Sequence, residues 1–129
     1  MATSTAVLWL ALTLVAAACA STSGSAATTA GRAELDEAAM MEKLRSDLKT
    51  NPASALALAE KGEQRFADSP LAEERRALAI QALINLGQIG AARSRAYQFL
   101  ARYPDGPYSA HVAAMTGVHP TPVGPGEHH

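Results

Sequence analysis

A single cysteine, Cys19, in 129 residues leaves no partner for an internal disulfide and excludes a cysteine metal cluster. Net charge is nearly as scarce. Eleven Lys and Arg against 12 Asp and Glu give a formal −1, so overall balance points to neither a nucleic-acid surface nor a strongly acidic partner. Catalytic groupings are missing as well. There is no Gly-rich phosphate loop, no Ser–His–Asp or Cys–His constellation outside the N-terminal segment, and no pair of carboxylates in an apolar, non-helical setting. No enzymatic activity and no cofactor are expected. His119, His128 and His129 near the C-terminus share no spacing on a helix face and no carboxylate cluster, so no metal site is expected there either. His111 is read as a surface or half-buried residue.

What is present divides into an unusual beginning, a helical middle and an irregular end. Residues 1–18 hold an apolar run from Ala6 to Ala18 broken only by Thr13. The run is too short for the roughly 20 residues that a membrane-spanning helix needs, and it ends in small residues, as a secretory signal does. Val15-Ala16-Ala17-Ala18-Cys19 resembles the lipobox of bacterial lipoproteins. The resemblance implies cleavage before Cys19, lipidation of its sulfur and acylation of its new amine. Ala20 after the cysteine implies, by the same resemblance, the periplasmic face of the outer membrane. Ordinary secretion with cleavage nearby, giving a soluble periplasmic or secreted protein, and a retained anchor are the alternatives. Several acyl chains would hold the domain to a bilayer where a single chain binds only marginally. Residues 19–32 then read as the lipidated cysteine and a small, polar, flexible linker.

From Ala33 the pattern is helical and the expected fold class is all-α, over residues 33–116. Leu35, Ala38, Met41, Leu44 and Leu48 form one apolar stripe of a first helix that ends near Thr50. Asn51-Pro52 supplies an N-cap and a proline for the start of a second helix, which runs to about Phe66. Asp68-Ser69-Pro70 is predicted to repeat the device at the start of a central helix that ends at Gly87. Leu78, Ile80, Leu83, Ile84 and Leu86 spread too widely for one stripe, so this helix needs neighbours on more than one side. A fourth helix from about Ile89 to Arg102 carries Arg93, Arg95 and Arg102 and no acidic residue. A basic surface there for lipid headgroups or an acidic partner is one reading, though three arginines are few for a patch. A short fifth helix through Tyr108, Val112 and Met115 is predicted to cap the array. The stretch 117–129, with its prolines and glycines, is read as an irregular or disordered tail.

The middle repeats itself. Ala55, Ala59, Arg65, Phe66, Asp68 and Pro70 recur 37 residues later as Ala92, Ala96, Arg102, Tyr103, Asp105 and Pro107. A fixed offset of this size is the trace of stacked helical hairpins, each presenting the same core positions to the next. The segments Leu83-x-x-Leu86-Gly87-Gln88-Ile89-Gly90-Ala91-Ala92 and Phe99-Leu100-x-x-Tyr103-Pro104-Asp105-Gly106-Pro107-Tyr108-Ser109-Ala110 resemble tetratricopeptide repeats. More narrowly, they resemble those of outer-membrane assembly lipoproteins and of the periplasmic Tol-Pal-associated coordinator, and the likeness covers about Leu48 to Met115. It implies two hairpins plus a capping helix.

The function implied is binding: a membrane-tethered, non-enzymatic adaptor of the bacterial cell envelope that engages a protein or peptide of unknown identity, with no nucleic acid. The alternative is a structural subunit of an outer-membrane assembly or envelope-maintenance complex. So short an array leaves apolar surface over, which a partner or self-association would cover. The residues expected to line the partner groove are Met41, Leu44, Leu48, Leu78, Ile80 and Leu83, on the first and central helices.

Overall fold

The computed structural model describes residues 23–119. They form five helices, with no strand among them: α1 (Ser23–Thr50), α2 (Pro52–Arg65), α3 (Ala72–Asn85), α4 (Ile89–Arg102) and α5 (Ser109–Thr116). The segment read as a signal, Cys19 and the last ten residues lie outside the described part. The all-α expectation holds, and the arrangement is compatible with a short array of helical hairpins. Counterparts 37 residues apart open and close equivalent helices: Pro52 and Ile89, Arg65 and Arg102, Ala72 and Ser109.

Local chemistry sets the turns. Asn51 alone separates α1 from α2; its side chain accepts a hydrogen bond from the Ser54 amide at 3.2 Å, and Pro52 occupies the first turn, where a missing N–H is harmless. Ser54 also donates its hydroxyl to Asp47 at 2.7 Å, tying the new helix to the old one. The α3–α4 turn needs no side chain. Gly87 has φ +75°, its amide bonds Ile84 O at 2.9 Å, and the Gln88 amide bonds Leu83 O at 2.9 Å, which satisfies the carbonyls left open by the end of α3.

Three boundaries differ from expectation. Residues 23–32, read as flexible linker, belong to α1. Extending an existing helix adds a hydrogen bond per residue without a new nucleation cost, and no proline interrupts this stretch. Pro70 does not open α3. Ser69 closes a turn first, its carbonyl taking the Ala72 amide at 3.0 Å and its hydroxyl oxygen taking the Leu71 amide at 3.2 Å, so the helix starts two residues beyond the proline. The tail begins later than Gly117, because Val118 is buried in the core beside Val112.

Two apolar clusters meet on α3. Met41, Leu44, Ala55, Ala59, Ala79 and Ala82 make one; Ala77, Ile80, Leu83, Ala92, Ala96, Phe99, Leu100, Val112 and Val118 make the other. The wide apolar spread of α3 is thus explained by burial from two directions. Helices α1, α3 and α5 pack side by side, and α2 and α4 each pack on their neighbours in that layer with their own backbones held apart.

Candidate functional site

Because the backbones of α2 and α4 stand apart, a trough of about 720 Å³ opens between them, with α3 as its floor. Ala59, Glu60, Glu63 and Gln64 of α2 form one wall, and Arg95, Gln98, Phe99 and Arg102 of α4, with Tyr103 just beyond it, form the other. Arg75, Arg76, Ala79 and Ile80 lie beneath.

Arg75 is the structural centre. It is 1% exposed, and its Nη1 donates to Glu37 Oε1 of α1 at 2.6 Å while Nη2 donates to the Phe66 carbonyl at 2.7 Å. Glu37 also accepts from the Ser69 hydroxyl. One guanidinium therefore joins α1, the end of α2 and α3. Gly62 makes the route available: a Cβ there would sit 2.5 Å from Arg75 Cδ and 2.5 Å from Met40 Cε. The Nε of Arg75, beside Gly62, is buried without a hydrogen-bond partner. Ionised groups this deep persist only when opposite charge and hydrogen bonds replace the lost water, and Glu37 with the Phe66 carbonyl supplies both.

Arg76 bridges the trough. Its Nε donates to both oxygens of Glu63, at 3.0 and 3.1 Å, and its Nη1 donates to the Tyr103 hydroxyl across the floor. Burial works against charge on Glu63, but the hydrogen bonds and charge of Arg76, helped by Arg75, outweigh it and hold the carboxyl below its ordinary value. Higher on the walls, Arg95 Nη2 donates to Glu60 Oε1 at 2.7 Å, and Arg102 lies 4.0 Å from Asp68. The rings of Phe66 and Tyr103 carry Arg65 and Arg102 at 4.9 and 5.7 Å, the same contact at the 37-residue offset.

The expected groove residues sit elsewhere. Met41, Leu44, Ile80 and Leu83 are core residues, each 2% exposed or less, and Leu48 and Leu78 are half-buried against the first cluster. This corrects the expectation: direct packing of α1, α3 and α5, together with their hairpin partners, consumes those faces. Ile80 alone reaches the trough, from below. The opposite layer of helices holds the opening, and its floor is hidden in the sequence because Glu73-Glu74-Arg75-Arg76 reads as a solvated helix start. The repeat contained the signal: shifted by 37, Arg75 falls on Val112 and Gly62 on Phe99, an arginine and a glycine on core positions.

Chemically, the described residues offer ion pairs and amides around an aromatic rim. No group of three or more His, Cys, Asp or Glu suited to a metal ion occurs among them, and none of their helices is long and apolar enough to cross a membrane. The architecture is that of a small helical-hairpin protein with an ionic trough. No protein-family model, curated protein or solved structure matches the chain.

Proposed function

We propose that the chain is a non-enzymatic protein–protein interaction module of the bacterial cell envelope, tethered to the outer membrane through a lipid on Cys19 and related to tetratricopeptide-repeat lipoproteins. The observation that carries the reading is the open trough between α2 and α4, a recess walled by exposed and half-buried charged and amide side chains on a helical floor. Preformed concave surfaces on helical arrays suit peptide or protein binding, since the ordering cost falls on the partner alone. The lipobox resemblance at Val15–Cys19 supports the tether, and the 37-residue repeat supports the family.

Two measurements test it. Mass spectrometry of the protein isolated from bacterial membranes should find a mature N-terminus at Cys19 with acyl chains attached; an unacylated protein starting elsewhere would remove the tether. A photoreactive residue placed at Gln98 of the membrane-bound protein should yield a discrete adduct with one envelope protein. Its absence, with intact anchoring, would count against an adaptor.

A further inference from the structure

We propose that the α2–α4 trough receives an acidic segment of a partner protein, with Arg95 and Arg102 pairing carboxylates three residues apart in a polyproline-II chain. This rests on the interaction-module reading and names the chemistry of the partner.

Charge decides the sign. Four arginines and two glutamates line the trough, although the whole chain carries a formal −1. Arg75 and Arg76 are committed to Glu37 and Glu63 in the floor. Arg95 and Arg102 are not comparably held. Arg95 pairs with Glu60, but their side chains are 42% and 50% exposed, and a pair so open to water is readily exchanged for another carboxylate. The nearest carboxylate to Arg102 is that of Asp68, at 4.0 Å and 95% exposed. No acidic residue of α4 competes for either arginine.

Spacing decides the form. Arg95, Gln98 and Arg102 lie at i, i+3 and i+7, one stripe along α4. Seven helical residues rise about 10.5 Å. Three residues of polyproline-II chain make one turn and cover about 9 Å, so glutamates or aspartates three apart lie on one face and meet both guanidiniums. Gln98 between them and Gln64 on the far wall supply amide donors and acceptors to the peptide main chain. A lipid surface suits the trough less well, because headgroups lie in a plane and the lining is recessed between two helices.

The test is an NMR titration of the ¹⁵N-labelled full chain with three probes: an amidated octapeptide carrying glutamate at its third and sixth positions in a Gly/Ser background, its twin with glutamine at both, and phosphatidylglycerol vesicles. The glutamate peptide should shift the side-chain amides of Gln64 and Gln98 saturably, with affinity at least about tenfold above the glutamine twin. Arg95→Gln/Arg102→Gln should lower that affinity by about tenfold or more, while Arg95→Lys/Arg102→Lys, which keeps the charge, should lose less. Both variants alter exposed side chains, and an unchanged amide spectrum elsewhere verifies the fold. Equal binding of the two peptides, shifts centred on Gln81 of α3 instead, or binding to vesicles without binding to the peptide would each overturn the proposal. A Gln98 adduct in membranes that survives Arg95→Gln/Arg102→Gln undiminished would overturn the acidic partner and leave the adaptor function standing.

Discussion

The two hairpin junctions solve one packing problem in opposite ways. Where α2 meets α3, Gly62 and Glu63 contact Arg75 and Arg76. At the positions 37 residues on, where α4 meets α5, the chain has Phe99, Leu100, Val112 and Ala113. Arg75 and Val112 are equally buried, at 1% and 0% exposure, so the same site in the array accepts a cation or an aliphatic. Volume is balanced each time: an absent side chain opposite a long one, then a ring opposite a small branched residue. The apolar junction is simply core. The polar one places fixed charges beneath a surface opening, and the candidate site arises there, where the repeat departs from its own apolar pattern.

Breaking the apolar junction should have the largest effect. Phe99→Ala is expected to cost about 3–5 kcal/mol in urea-induced unfolding, since it empties the second cluster. At the equivalent polar position the danger is the reverse. Gly62→Ala adds an atom where Arg75 and Met40 leave no room, and should cost about 1–3 kcal/mol, with part of the loss recovered when Arg75 is shortened. A double-mutant cycle reads that coupling directly.

The turns allow a finer contrast. Asn51→Ala removes the cap on which the first turn relies and should cost about 1 kcal/mol. The second turn has no side-chain cap at Gln88, so Gln88→Ala should be nearly neutral by the same thermal or urea measurement. The smallest effect is acid sensitivity at the trough. Folding depresses the Glu63 carboxyl below its ordinary 4.5, so its contribution is complete above about pH 4.5 and is lost as pH falls through the folded value. Glu63 is 40% exposed, which limits the contribution to about 1 kcal/mol or less. Stability of Glu63→Gln should therefore fall less steeply below pH 4.5 than that of the parent chain. A residual slope should persist, since the Ser54 hydroxyl and then Lys43 hold Asp47 below its ordinary value of 3.8.

Helix identity was legible in the sequence because periodicity and punctuation agreed. Asn51-Pro52 and Gly87 sit where their backbone chemistry places them, and α4 runs over the expected residues. Other features depended on tertiary contacts that no local pattern carries. Ser69 serves Glu37, 32 residues away, and the Ala67–Leu71 turn forms ahead of α3 rather than letting Pro70 open it. Met41, Leu44, Ile80 and Leu83 were correctly apolar, but hydrophobicity alone does not say whether a face meets another helix or is left open. Arg75 shows the converse: a charged residue on a core position is visible only once the repeats are superposed.

The polar junction rests most directly on the Arg75–Glu37 pair, and equilibrium urea unfolding of Arg75→Val, Glu37→Val and the double variant tests this. Arg75→Val should destabilise by about 3–5 kcal/mol, because it leaves Glu37 buried without an opposite charge, and Glu37→Val by less, because Arg75 keeps the Glu63 carboxylate at 3.5 Å. The double variant should regain at least half of the Arg75→Val loss, making the first junction resemble the second. A double variant no more stable than either single one, or single variants that unfold like the parent, would show that this ion pair does not hold the polar junction together.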